Sequence, residues 1–231
     1  MPVTLESLIK DVKSRLGETN TTRAAQLDSG VDATPVISTD DAITAYLNEA
    51  ASDLARWSWP IPGSAIANVD AGVVRVAFDT LTDTADRCLH TAVGVSMAGV
   101  ALRESSQPIL RHWQEAQFQA AGTPRYWFVD GDGIGLDKAP TDAFDLTVRG
   151  FLLPRPLAEP SDTVDSLPDD LTPLLVFYAA AMVAAKNAED PSLGPRVAEW
   201  MAAFAKGAAA VKARSMARDP ETAVSFFAGA R

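Results

Sequence analysis

Cysteine and histidine are nearly missing from this 231-residue chain: Cys88 is its one thiol, and His90 and His112 are its two imidazoles. A single cysteine excludes an internal disulfide framework and any multi-cysteine zinc site. Two histidines are too few for the commoner metal and general-base constellations. Positive charge is also in deficit, since 20 Lys and Arg stand against 30 Asp and Glu, for a formal charge of −10. That balance argues against wrapping on a nucleic-acid backbone, which needs clustered basic residues, and against docking on an anionic membrane. It suits DNA sliding past, because an acidic surface repels it. A long hydrophobic run is lacking as well. The longest uncharged apolar stretch, Leu171–Ala185, is 15 residues between Asp170 and Lys186. A bilayer span needs about 20, so a buried core helix is expected. The first twenty residues mix Glu6, Lys10, Asp11, Lys13, Arg15 and Glu18 among the apolar positions, unlike a secretory signal.

What is present is ordinary globular material, 47% hydrophobic and 22% charged, which excludes disorder over the whole chain. The expectation is a soluble intracellular globular protein. At about 150 residues per domain, it has one large domain or two small ones.

Leu5, Leu8, Ile9, Val12 and Leu16 repeat at helical spacing, with Gly17 as the stop. Residues 18–37 read as a surface loop. A second helix starts at Ser38 or Thr39, carries Asp40 and Asp41 where the helix dipole favours acids, and has the stripe Ile43, Leu47, Ala50, Leu54, Trp57. The two prolines and glycine of Trp57-Ser58-Trp59-Pro60-Ile61-Pro62-Gly63 end it. Between Gly72 and Gly150 the signal is strand-like: Val73–Phe78, Cys88–Val95, Gly99–Leu102, Tyr126–Val129, Ile134–Leu136 and Phe144–Phe151. One helix, Gln107–Ala121, interrupts them, and Asp130-Gly131-Asp132-Gly133 makes a hairpin corner. Leu153–Asp170, with four prolines, is the most linker-like segment. Leu171–Glu189 is apolar on nearly every face. The last helix, with Leu193, Val197, Trp200, Phe204 and Val211 on its stripe, runs to about Arg214.

The fold class expected is therefore α+β: a helical bundle from the N- and C-terminal helices, an inserted antiparallel β-rich module and an extended C-terminal arm. The divisions fall at 1–63 for the first helices, 64–152 for the β-rich module, 153–214 for the C-terminal helical hairpin and 215–231 for the arm.

Candidate chemistry is thin. Asp130 and Asp132 match the first two ligand positions of a calcium loop, but Ile134 and Thr141 stand where an oxygen ligand and a bidentate Glu are required, so a hairpin turn is the better reading. The glycines of that corner lack the following helix N-terminus of a dinucleotide loop. Gly94-Val95-Ser96-Met97-Ala98 has the outline of a nucleophile elbow, yet no histidine follows His112 to serve as base. Cys88 and His90 share one face of a strand, an ordinary core arrangement. The five tryptophans, Trp57, Trp59, Trp113, Trp127 and Trp200, are explained by core packing. No catalytic, cofactor-binding or metal-binding residues are expected. Lys206, Lys212, Arg214 and Arg218 form a basic run without an intervening acid. It reads either as favourable charge at a helix C-terminus or as a partner surface continued by the arm. Phe226 and Phe227, adjacent in a segment too short to build a core, need a place to go.

An ordered series of loose motifs carries a resemblance. Ala45-Tyr46-Leu47-Asn48-Glu49-Ala50-Ala51 leads to Trp57-Ser58-Trp59-Pro60; Leu102-Arg103-Glu104-Ser105-Ser106 runs on to Trp113. Gly122-Thr123-Pro124-Arg125-Tyr126-Trp127 and Gly133-Ile134-Gly135-Leu136-Asp137-Lys138-Ala139-Pro140 follow, then Leu146–Pro156 and Ser166-Leu167-Pro168-Asp169-Asp170. Over roughly residues 38–212 the chain resembles the head-to-tail adaptor (connector) proteins of tailed bacteriophages and related gene-transfer particles. The resemblance implies a structural virion protein, assembled in the host cytoplasm. It implies a ring, typically of twelve copies, that forms when docked beneath the portal protein and extends the DNA channel. Double-stranded DNA would pass through without sequence-specific binding, and the ring would offer a platform to the distal neck, stopper or tail protein. It further implies that the C-terminal segment reaches the portal, with Lys206, Lys212, Arg214, Arg218, Phe226 and Phe227 at the partner interface. The alternatives are a stopper or tail-tube component of such a particle, a non-viral α+β interaction module and, least favoured, a hydrolase using Ser96 or Cys88.

Overall fold

The computed structural model describes residues 3–17, 39–115, 117–164, 167–187 and 193–218. They form two compact units, a helical one from both chain ends up to Trp59 and from Pro156 to Arg218, and a β-rich one from Pro60 to Arg155. The class is α+β.

In the helical unit, α1 (Leu5–Leu16) is capped by Thr4, whose hydroxyl accepts from the Ser7 N–H, and stops at Gly17, which takes φ +80°. Its apolar stripe Leu5, Leu8, Val12 and Leu16 is buried. The second helix, α2 (Asp40–Trp57), is capped in the same way by Thr39 and buries Ile43, Leu47, Ala50 and Leu54. After the β-rich unit, α4 (Thr172–Lys186) packs against α1, α2 and α5 (Gly194–Arg218). That explains why Leu175, Val176, Ala179, Ala180, Ala181, Val183 and Ala184 are buried around its circumference. Gly207 lets α5 approach closely, since a Cβ there would run into the Leu174 side chain.

The stretch with the composition of a linker is fixed in part to this unit. Asn48 on α2 donates from Nδ2 to the Leu157 carbonyl (2.9 Å) and accepts on Oδ1 from the Leu157 N–H (2.8 Å). Pro160 and Asp162 carbonyls take the N–H groups of Glu6 and Leu5 at the start of α1, donors that no intrahelical partner can satisfy.

The β-rich unit holds two four-stranded sheets. The first has the order β1-β8-β3-β4 and is antiparallel: β1 (Pro62–Val69), β8 (Phe144–Leu152), β3 (Leu89–Met97) and β4 (Val100–Ala101). The second has the order β2-β7-β6-β5: β2 (Arg75–Ala77), β7 (Gly133–Leu136), β6 (Tyr126–Asp130) and β5 (Arg103–Glu104). The expected all-antiparallel pattern fails at β5, which runs parallel to β6. The intervening helix α3 (Gln107–Gln114) and loop give the long crossover that a parallel pair needs. That helix stops well before the expected Ala121. The chain after it is drawn instead to the segment that follows β7, where Gln119 donates to the Asp137 carbonyl, Gly122 donates to the Ala139 carbonyl, and Ala121 bridges Ala139.

Strand β1 was not foreseen. Ala65 and Val69 point inward while its largest side chain, Ile66, points outward, so the strand lacks a clear apolar alternation. The core of this unit includes Leu81, Leu89, Leu110, Trp127, Phe128, Ile134, Leu136, Leu146 and Val148.

Candidate functional site

The basic run lies on α5, but its members do different things. Arg214 is engaged inside its own unit: Nη1 lies 2.5 Å from Asp170 Oδ2, Nη2 lies 3.4 Å from Oδ1, and the guanidinium sits over the Trp59 ring at 5.4 Å. The Arg214 hydrogen bond holds the Asp170 carboxyl below its ordinary range. Arg214 thus joins the last turns of α5 to the approach to α4 and to Trp59, two residues after α2. Lys206 and Lys212 are exposed on the helix surface, and Arg218 is its last residue. The helix continues four residues beyond Arg214, through Ser215, which is buried. Phe226 and Phe227 lie outside the described residues.

A second polar cluster is internal to the helices. Tyr178 on α4 is buried, packs on Phe204 (ring centroids 5.0 Å apart), and faces Glu49 and Asp53 of α2. Burial, then the Glu49 hydrogen bond and charge, drive the Tyr178 hydroxyl well above its usual value. Burial and the Glu49 charge also raise Asp53.

The β-rich unit has the exposed apolar surface. Ile66, Val93, Val100, Ile109, Trp113 and Val129 are all exposed, Trp113 at 68%. Ile109 and Trp113 are one helical turn apart on α3 and so share a face. Core packing, expected for every tryptophan, holds for Trp127 and Trp200 but not for Trp113 or Trp57, which is 56% exposed. Trp57 is the last residue of α2 and Trp113 the last but one of α3.

Beside β1 an open hollow of about 420 Å³ is lined by Pro62, Gly63, Ser64, Val93, Arg149, Gly150 and Phe151. It contains one charged side chain and no nucleophile–base pair. The catalytic candidates sit elsewhere: Ser96 Oγ lies 3.5 Å from the Thr147 carbonyl inside paired strand, and Cys88 Sγ lies 3.8 Å from the Asp79 carbonyl. Asp130 and Asp132 both face Arg75, which answers the charge that a cation would have met. No cluster of three His, Cys, Asp or Glu suited to a metal occurs among the described residues, and none of their helices is long and apolar enough to cross a membrane.

The arrangement offers surfaces for contact rather than a reaction centre. The family model of the SU10 adaptor protein matches residues 3–224, across both units. The chain belongs to the SU10 adaptor protein family. It is thus a phage structural adaptor and a component of the virion, and the role the family assigns is structural. No curated protein matches the chain.

Two residues within the motifs prove to be pins of this adaptor. Asn48 is the clamp on residue 157 described above. Asp137 is fully buried, and its Oδ1 accepts from the backbone N–H groups of Arg125 (2.9 Å) and Tyr126 (3.0 Å), which fixes the entry to β6. Asp83 does similar work between β2 and β3, taking the Arg87 side chain at 2.6 and 2.8 Å and the N–H groups of Ala85 and Arg87 at 2.9 Å. Burial pushes the Asp83 carboxyl up, but these hydrogen bonds together outweigh it and leave it below its usual value. An Asp beside turn residues was the available signal for both acids. The outward-facing pair on α3 left no such mark in the sequence.

Proposed function

We propose that this adaptor forms a ring between the portal protein and the distal neck or tail protein, typically of twelve copies, and that the ring extends the DNA channel. The observation that carries the reading is a family match that runs through both units rather than over one of them. The net charge of −10 agrees with a lumen that repels DNA and lets it pass without sequence-specific binding. On this reading the apolar side chains exposed on the β-rich unit make contacts between copies or with a neighbouring protein, since exposed patches of that kind mark interaction sites. Lys206, Lys212 and Arg218, with Phe226 and Phe227 beyond them, are the surface assigned to the portal. Arg214 belongs to it only if its bond to Asp170 opens. Assembly would take place in the host cytoplasm, on the docked portal.

The test is a pull-down from a lysate of producing cells with the full chain and its Phe226→Ala/Phe227→Ala double variant, read by mass spectrometry. The expected result is recovery of a large ring-forming portal protein with the full chain and a marked loss with the double variant. Recovery of no virion component by either bait overturns the reading.

A further inference from the structure

Three of the four edge strands are short, since β2, β4 and β5 contain only two or three residues each; β4 covers β3 at Ser96 and Met97 alone, and the rest of β3 is irregular, with two register shifts against β8. The fourth, β1, is eight residues long, pairs with β8 in unbroken register, and has no charged side chain and no proline after its first position. Natural sheets blunt such an edge with lysine, proline or a bulge, since it presents unpaired backbone groups to any passing strand. Here none of those devices is used.

The direction of the backbone groups follows from one bond. Leu152 donates to the Ile61 carbonyl at 2.9 Å, so in the antiparallel ladder the odd residues Gly63, Ala65, Ala67 and Val69 bond β8. Ser64, Ile66 and Asn68 therefore turn their N–H and C=O groups to the open side, and no other strand of the described residues bonds there. Ile66 is also 64% exposed on the outer face.

We infer that β1 pairs antiparallel with β1 of a second copy of this chain, about a two-fold axis at Ile66, and that this pair is the form of the protein before it joins a ring. The register is self-complementary. Ile66 meets Ile66 of the partner subunit, and Ser64 meets Asn68 of the partner subunit, so that all six outward N–H and C=O groups of each copy are bonded. The charges agree with that direction. Arg149 neighbours Ser64 and Asp145 neighbours Asn68 on β8, and Asn68 already donates from Nδ2 to Asp145 Oδ1 (3.1 Å). Antiparallel pairing brings the Arg149 end of one copy against the Asp145 end of the other. Asn68 then stands between them with its carbonyl oxygen toward the guanidinium, which repeats twice about the axis. A two-fold contact closes on itself and stops at two, so it hides the edge without starting a fibre. It differs from the repeating contact of a ring, and the pair must part for assembly.

The experiment is sedimentation equilibrium of the full chain from low to several hundred micromolar, with Ile66→Lys, Arg149→Asp and the swap Arg149→Asp/Asp145→Arg. The inference expects a reversible dimer of twice the 24.5 kDa chain mass. Ile66→Lys, which sets two ammonium groups face to face, should weaken it at least about tenfold with unchanged circular dichroism. Arg149→Asp should weaken it as well, and the swap should recover part of the loss. A wild-type chain that stays monomeric throughout overturns the inference. So does an oligomer indifferent to Ile66→Lys, or a swap no better than Arg149→Asp alone.

Discussion

Of the large apolar side chains exposed among the described residues, Trp57 and Met216 belong to the helical unit, whereas Ile66, Val93, Val100, Ile109, Trp113 and Val129 belong to the β-rich unit. The two units have similar numbers of residues, yet they use hydrophobicity differently. In the helical unit α4 is surrounded by three partners, and little apolar surface remains unspent. In the β-rich unit several strands are short, β3 is bulged and the brief helix α3 leaves Ile109 and Trp113 exposed. On the function proposed above, one unit holds the adaptor's shape and the other offers the surface that neighbouring chains complete.

A matched pair of tryptophans is the strongest way to break that contrast. Trp200→Ala removes a buried ring on α5 and should cost about 3–5 kcal/mol in urea unfolding. Trp113→Ala removes an exposed ring and should change stability by no more than about 0.5 kcal/mol, while weakening assembly into particles. Equal losses from both would contradict the contrast. Next in size is Asp137→Ala, which strands two partly buried N–H groups and should cost about 2–3 kcal/mol by the same measurement.

Acid sharpens the comparison further, because it reaches both units. Asp83 and Asp170 are held below their ordinary 3.8 in the folded chain. Their contribution is therefore complete above that value and disappears as pH falls through the lower, folded values. Unfolding midpoints should drop below about pH 4, and less so in Asp83→Ala and Arg214→Ala, which have already lost part of that contribution. The smallest effect has the opposite sign. Asp53 is raised by burial and by Glu49 one helical turn away, so Asp53→Asn should gain about 0.3 kcal/mol at neutral pH and nothing once both forms are neutral in acid.

The helices were legible in the sequence because their signals are local. Thr39 as a cap, Gly17 as a stop, and the stripes of α1 and α2 are each read within a few turns of their own helix. Strand β8, which alternates through Leu146, Val148 and Gly150, was also readable, as was the aromatic run of β6. What escaped depends on distant partners: β1 is a strand because β8 pairs with it, and its Ala–Ile–Ala pattern says nothing of that by itself. The end of α3 is set by Asp137 and Ala139, which lie some twenty residues further on. The basic run was visible as composition, but only the fold separates Arg214, bonded to Asp170 over Trp59, from Lys206 at the surface.

The most direct test of the adaptor account is cryo-electron microscopy of the neck of purified particles. The account predicts a closed ring of this chain between the portal and the next neck protein, with Ile109 and Trp113 covered by a neighbouring chain and α4 still internal to its own copy. A neck without this chain, or a ring in which Trp113 faces solvent and copies meet only through their helical units, would contradict it.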